Sequence, residues 1–249
     1  MRTLAETAAA GRRIPDMTQA KSAKNAKAQL FEDLKHQILT LQLGPDEDLD
    51  EPGLCERYSL SRTPVREVFR RLSGEGYVDI RENRGARVSP MNHSTLRHFF
   101  LVAPMIYAAV GRLAVRHFTA RQLADLKETQ AQLRQACLAG DIQAMVLKNN
   151  RFHEIMGEMS GNVYLQTSLN RLLIDHARIG RTFYQPHDED TARRRQSSID
   201  HHDQFIDALV ARDEEAIARL SYEHMELSRE HMELFIMPPG LKPEPPQSL

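Results

Sequence analysis

The sequence lacks most of the features that mark membrane and secreted proteins. No uninterrupted apolar run approaches the roughly 20 residues that a membrane-spanning helix needs. The first 26 residues also lack the apolar core of a signal peptide, because Ala8–Ala10 is followed at once by Gly11-Arg12-Arg13. We therefore expect a cytoplasmic protein with no membrane partner.

The sequence also lacks the motifs of several classes of enzyme and metal site. The two cysteines, Cys55 and Cys137, form no metal or disulfide pattern, so we expect reduced thiols. There is no glycine-rich phosphate loop and no Gly-x-Ser-x-Gly elbow, so neither an NTPase nor an α/β-hydrolase is indicated. The formal net charge of −1 argues against a protein that coats DNA nonspecifically. At 249 residues with 41% hydrophobic content, the chain is long enough for two globular domains.

An arginine-rich helix is predicted to begin after Ser61. Ser61 is a good N-cap whose hydroxyl should accept an amide hydrogen bond, and Pro64 is tolerated in a first turn. Apolar residues recur at helical spacing at Val65, Val68, Phe69 and Leu72. The side chains that project elsewhere are Arg62, Thr63, Arg66 and Arg70. Such a helix is either a solvated surface helix or one that enters a DNA major groove.

The flanking segments favour DNA binding. Upstream are an apolar helical stripe over 30–41 and a short predicted helix, Glu51–Tyr58. Downstream, two strand-like segments at 77–81 and 86–88 enclose a basic tip, Glu82-Asn83-Arg84-Gly85. Between Arg57 and Arg87, positive charges exceed negative charges by four, although the whole chain is nearly neutral. The pattern predicts a winged helix-turn-helix.

These residues resemble the winged helix of the GntR family of bacterial transcription regulators. The resemblance is carried by Ser61-Arg-Thr-Pro-Val-Arg-Glu67, Arg71-Leu72, Glu75-Gly76-Tyr77, Arg84-Gly85 and Val88. It implies operator contact by Arg62, Thr63 and Arg66, with the wing tip at Arg84 and Gly85 near the minor groove. One departure is Pro52, which stands where many members carry a DNA-contacting arginine.

The remainder of the chain is predicted to be helical. We expect a disordered leader at 1–26, the winged helix at 27–90, a helical effector-binding and dimerisation domain at 94–237, and a disordered proline-rich tail at 238–249. Ser94 is the expected cap of the first helix, Pro104 should kink that helix, and Thr119 with Gln122 should form a capping box. The predicted fold is mostly α, with a winged helix-turn-helix followed by an all-helical bundle.

This second part is similar to the FadR-like branch of the family, which has a helical, FCD-type effector domain. The residues that carry the similarity are Asn149-x-x-Phe152-His153, His202-x-x-x-Ile206-x-Ala208-Leu209 and Ala211-Arg-Asp213 leading to His224.

Three histidines and an asparagine form a candidate metal site. Asn149 and His153 share one helix face, while His202 and His224 lie on two later helices. Each histidine alone is more readily explained as a surface or core residue. The resemblance, however, implies a divalent metal such as Zn²⁺ or Ni²⁺, with Asn149 in place of the usual aspartate. Helical register favours His202 over His201, and we expect no metal role for the other histidines.

An effector should bind near this site. The resemblance implies an arginine in the first bundle helix that holds an effector carboxylate, but Ala103-Pro104 stands there. Arg178 and Arg181, one turn apart, are the substitute candidates, with surface salt bridges as the alternative.

The favoured function is therefore a ligand-responsive, sequence-specific regulator, a repressor of a metabolic operon. It would bind a palindromic operator as a homodimer, with part of the interface on the 94–116 helix. The alternatives are a metal-dependent enzyme, which would lack an evident general base, and a nonspecific DNA-binding protein.

Overall fold

The computed structural model describes residues 17–82, 85–185 and 188–236, except for the side chains of 17–23, 231 and 233–236. Within those ranges the fold is mostly α, as predicted, with nine helices and one two-stranded sheet. In chain order the elements are α1 (Met17–Leu39), α2 (Glu51–Tyr58), α3 (Arg62–Glu75), β1 (Val78–Arg81), β2 (Gly85–Val88), α4 (His93–His117), α5 (Ala120–Ala139), α6 (Ile142–Met159), α7 (Val163–Phe183), α8 (Glu189–Ala211) and α9 (Glu214–Ile236).

The first three helices and the hairpin form the predicted winged helix-turn-helix. The strands pair antiparallel, with Val78 opposite Val88 and Arg81 opposite Gly85. The apolar stripes of α1 and α3 meet in a core that includes Leu30, Leu34, Ile38, Val65, Val68, Phe69 and Leu72. Because α3 uses this one face for packing, its arginine-bearing faces remain available to a partner.

Two local expectations for this region are wrong. Helix α1 begins at Met17, inside the segment expected to be a disordered leader. Its alanine and lysine residues are good helix formers that extend the helix beyond its packed stripe. Ser61 occupies the N-cap of α3, but its side chain makes no capping hydrogen bond. The third helical residue is Pro64, which has no amide hydrogen to donate.

Helices α4 to α9 form the predicted bundle, and local capping chemistry sets most of their ends. Thr119 and Gln122 form the expected capping box of α5, and Gly140 ends that helix in the left-handed conformation, with φ of 66°. Asp141 caps α6 and Asn162 caps α7. The cap of α4 is Asn92, in a capping box with Thr95, and not Ser94 as expected. An amide oxygen on Asn92 can accept from both Ser94 and Thr95, which moves the helix start toward the N-terminus.

Helix α4 is apolar enough by length and composition to cross a membrane, although the sequence has no uninterrupted apolar run of about 20 residues. Its position in the fold gives a simpler account of this hydropathy. One face is buried in the bundle through Phe99, Ala103, Tyr107 and Val110, among others. The helix continues through Pro104 without a break.

The winged helix is packed directly against the bundle. The apolar cluster of α1 and α3 continues into the bundle through Ile174, Ala177 and Tyr184. Gly76, which ends α3 with φ of 89°, lies against the side chain of Arg171 on α7, where a Cβ atom would collide. Helix α7 therefore packs against the winged helix as well as against the rest of the bundle.

Candidate functional site

The polar face of α3 is the first candidate site. Arg62, Thr63, Arg66 and Arg70 are all exposed, as the sequence predicts. On the opposite face, Val65, Val68, Phe69 and Leu72 are buried in the core of the winged helix. A helix anchored along one side, with arginines on its exposed N-terminal half, has the geometry of a recognition helix in a major groove.

Arg66 is held in position by a buried carboxylate that sequence reasoning missed. Its Nε lies 3.0 Å and 3.1 Å from the two carboxylate oxygens of Glu51, the first residue of α2. The Glu51 side chain is only 10% exposed, whereas that of Arg66 is 55% exposed. Because Nε alone is engaged, the two terminal nitrogens of Arg66 can still bind a base edge or a phosphate. Arg62 approaches the same carboxylate at 4.0 Å.

The wing was the other expected DNA contact. Gly85 begins β2 with φ of 77°, a conformation that favours glycine. Arg84 lies outside the described residues, so its predicted contact stays a prediction. Pro52 lies in the first turn of α2, so this chain has no cation at the position where the resemblance implies a DNA-contacting arginine.

The second candidate site is a cluster of histidines inside the bundle. His153 on α6, His202 on α8 and His224 on α9 each offer a nitrogen within 4.8 Å of the others. All three rings are buried. His153 Nε2, His202 Nε2, His224 Nδ1 and the Oδ1 atom of Asn149 lack a hydrogen-bond partner. The structure thus brings together the three histidines predicted from the sequence, without His201, and Asn149 lies one turn before His153 on α6.

Burial also sets the protonation state of the cluster. Desolvation, and secondarily the neighbouring histidines, lower the pKa of His153, His202 and His224 well below the ordinary value of 6.5. At neutral pH the rings are therefore neutral, and each retains one lone pair. Neutral imidazole is the form that binds metal ions, and Asn149 adds an uncharged oxygen. The residues present fit a divalent ion.

His176 on α7 is a fourth buried histidine, expected from the sequence to have no role. Its ring centroid lies 4.9 Å from that of His153, and its Nδ1 is 2.7 Å from the hydroxyl of Tyr107 on α4. Desolvation lowers the pKa of His176 to about 4. The available signal was its spacing, because His176 continues the apolar stripe formed by Leu169 and Leu173.

A small cavity adjoins the cluster. It is lined by Tyr107, Val110, Phe152, His153, Met156, Leu169, Phe205 and Ser221, and it measures about 10 Å³. That volume holds about one water molecule. This cavity is therefore too small to hold a metabolite.

The two candidate effector-binding arginines lie in different environments. Arg178 is fully buried, and its guanidinium donates to the backbone carbonyl of Ser89 at 2.7 Å and to the carboxylate of Asp175. Ser89 follows directly after β2, so this bond ties the bundle to the winged helix. Arg181 is half-buried and makes no hydrogen bond or ion pair within the described part of the chain. Their predicted role in holding an effector carboxylate stays a prediction.

Comparison with known proteins decides the family. The sequence profile of the bacterial regulatory proteins of the gntR family matches residues 26–88, and that of the FCD domain matches residues 104–227. Together they cover most of the chain. The chain belongs to the GntR family.

Relatives in sequence and a solved structure are consistent with this family. The transcriptional repressor RspR of Escherichia coli is 24% identical over 209 residues, which cover 84% of this chain and 90% of RspR. The transcriptional regulator McbR of the same species is 25% identical over 198 residues, covering 80% and 88% of the two chains. The structure of E. coli McbR/YncC superimposes with a TM-score of 0.73 at 24% identity, over 85% of this chain and 99% of that one, which shows the common fold.

These findings establish the general function. This GntR-family protein is a DNA-binding transcription regulator whose helix-turn-helix precedes an FCD effector domain. Regulators of this family bind DNA operators, typically as dimers. FCD domains are often metal-binding, and the three buried histidines could hold a metal ion.

Proposed function

We propose that this GntR-family regulator is a cytoplasmic, homodimeric repressor of a metabolic operon, not an enzyme. It binds a palindromic operator and releases it when a small carboxylate reaches a divalent ion held by Asn149, His153, His202 and His224. The observations that support the proposal are that the three expected histidines lie together and that each of them, like Asn149, is buried with one ligand atom left without a partner. Leaving one such atom unsatisfied costs about 1–3 kcal/mol, so four together favour a bound cation.

The ligand set also indicates the charge of the effector. Three imidazoles and an amide supply no negative charge, so a divalent ion bound there keeps both of its charges. In a buried site these charges attract an anion strongly. A carboxylate would supply the oxygen ligand and the charge that an aspartate provides elsewhere in the family.

The path from this site to DNA runs through α7. His176 lies beside His153, and two residues later Arg178 is bonded to Ser89 at the end of the wing. Because the cavity is too small for a metabolite, effector entry must shift the helices that line it, which include α7 through Leu169. A shift of α7 would change the orientation of the winged helix. The effector and the operator would then each favour a different packing of the winged helix against α7.

The dimer interface is proposed to include the exposed face of α4. Leu101, Val102 and Met105 are apolar and are 70%, 42% and 61% exposed, respectively. Their spacing puts them on one side of the helix, away from the bundle core. Burial of this stripe against a second copy would place two reading heads on one operator.

The proposed metal site is tested by measuring the metal content of the purified protein. Protein purified without chelator should retain one Zn²⁺ or Ni²⁺ per chain, as structural sites of this kind do. His202→Ala should lose the ion, and the matched control His201→Ala, one residue away but outside the cluster, should keep it. Asn149→Asp should bind metal more tightly, because a carboxylate replaces a neutral oxygen. A wild-type protein that carries no ion, and whose melting temperature does not rise with added Zn²⁺ or Ni²⁺, would contradict the proposal.

A further inference from the structure

The side chains around His202 bury its ring and also contact its two nitrogens differently. Its ring stacks on Phe152, with centroids 4.0 Å apart and planes 8° from parallel. Its Nδ1 lies 3.2 Å from Oε1 of Gln130, a buried residue of α5. Its Nε2 has no partner. The two nitrogens of this ring therefore occupy different environments.

The amide of Gln130 can have only one orientation. Its Nε2 lies 2.8 Å from the backbone carbonyl of Ile199 and 3.0 Å from Oδ1 of Asp203. Both partners only accept hydrogen bonds, so the amino group of Gln130 must face them. The Oε1 atom must then face His202, and an oxygen of this kind can only accept. The proton of the His202 ring is consequently on Nδ1.

We propose that Gln130 is the positioning residue that holds His202 as its Nδ1-protonated tautomer, so that the Nε2 lone pair is presented to the metal ion. This inference rests on the proposed metal site. A neutral imidazole carries one proton, so fixing it on Nδ1 leaves Nε2 free to bind. Metal-binding histidines commonly donate their second nitrogen to a fixed acceptor in this way.

The support extends from Gln130 to the protein surface. Asp203 accepts from Gln130 on one oxygen and from Arg134 on the other. Arg134 also bonds Asp200, one turn before Asp203 on α8. Helices α5 and α8 are thus joined by a chain of hydrogen bonds that ends on the ring of His202. The ring of His202 is therefore oriented by protein contacts alone.

The test compares Gln130→Met with Gln132→Met. Methionine has a similar length but no acceptor, and Gln132 is exposed on the same helix, where its amide bonds only Glu128. NMR of the imidazole nitrogens in metal-free protein should show His202 protonated on Nδ1 in the wild type and in Gln132→Met. In Gln130→Met this signature should be lost, and Zn²⁺ affinity should fall by about 10- to 100-fold.

The outcomes separate this inference from the metal site itself. A metal-free wild-type protein with the His202 proton on Nε2 would overturn the role of Gln130, whatever the metal content. The same conclusion would follow if Gln130→Met kept both the signature and the Zn²⁺ affinity. If the wild type has the Nδ1 proton but binds no Zn²⁺, Gln130 still sets the tautomer, while the proposed metal function fails. The wild-type measurement decides the tautomer even if Gln130→Met does not fold.

Discussion

Replacement of Arg178 by methionine separates a structural role from an effector-binding role. Arg178→Met keeps an unbranched side chain of similar length but removes every hydrogen bond to Ser89 and Asp175. The matched change is Arg181→Met on the same helix, one turn later, where the side chain is half-buried and has no hydrogen-bond or ion-pair partner among the described residues. Both arginines carry the same charge, so the comparison isolates the buried contacts.

The size of the effect follows from what is left behind. Removing one partner of a buried ion pair costs about 3–5 kcal/mol, because the other charge stays buried and uncompensated. Asp175 is 13% exposed and retains Arg171 at 3.6 Å, so we expect a loss near the lower limit, about 3 kcal/mol. For a chain of this size, that corresponds to a fall in melting temperature of about 6–12 °C. Arg181→Met should change stability by less than about 0.5 kcal/mol.

The assay is thermal unfolding followed by circular dichroism, together with operator binding at a temperature where both variants are folded. Arg178→Met should melt early and bind the operator with an altered response to effector, because the winged helix is no longer tied to α7. If Arg178→Met melts like Arg181→Met, the bond to Ser89 contributes little and the proposed coupling path is wrong. Loss of effector response in Arg181→Met at unchanged stability would instead support Arg181 as an effector contact.

Further predictions concern the metal-free protein, the reading head and the dimer. Burial lowers the pKa of four histidines: His153, His176, His202 and His224. Below pH 6.5 the unfolded chain therefore binds more protons than the folded chain, and the free energy of unfolding should fall on acidification by about 1.4 kcal/mol per pH unit for each histidine. Urea unfolding across this pH range should show a smaller dependence of the free energy of unfolding on pH for His202→Phe than for the wild type. Arg66→Ala should weaken operator binding by about 1–3 kcal/mol in a gel-shift titration of the folded protein. It should also lower the melting temperature, because the buried Glu51 carboxylate loses its 3.0 Å partner. Unchanged affinity in the folded variant would remove Arg66 from the reading head. Leu101→Glu should produce monomers by sedimentation, while the same change at Leu138, an even more exposed apolar residue on α5, should not. A dimer that persists in Leu101→Glu would place the interface elsewhere.

The elements that sequence reasoning predicted well are those set by local chemistry. Thr119 and Gln122 cap a helix through neighbours three residues apart, and Gly140 ends that helix through its own backbone freedom. The register of His202 was predictable because Phe205, Ile206 and Leu209 mark the buried face of the same helix. Where the local signal had an equally local competitor, as at Ser94 beside Asn92, the prediction was wrong.

The contacts that the sequence did not predict join residues that are far apart along the chain. Gln130 meets His202 across 72 residues of sequence, and Arg178 meets Ser89 across 89. No local sequence pattern encodes such pairs. For Gln130 one signal was available, because it is a polar residue on the buried stripe of α5 with Leu126 and Leu133. A buried amide requires partners, so its position signalled an interaction without naming it.

The most direct test of the account measures operator binding by fluorescence anisotropy. The metal-loaded wild-type protein should be titrated onto the palindrome from its own promoter and onto a scrambled duplex at physiological salt, with and without candidate carboxylates. The account predicts at least about 10³-fold tighter binding to the palindrome. It also predicts that an effective carboxylate weakens this binding for the wild type and for His201→Ala, but not for His202→Ala. Equal affinity for the two duplexes, or the same carboxylate response in His202→Ala, would contradict it.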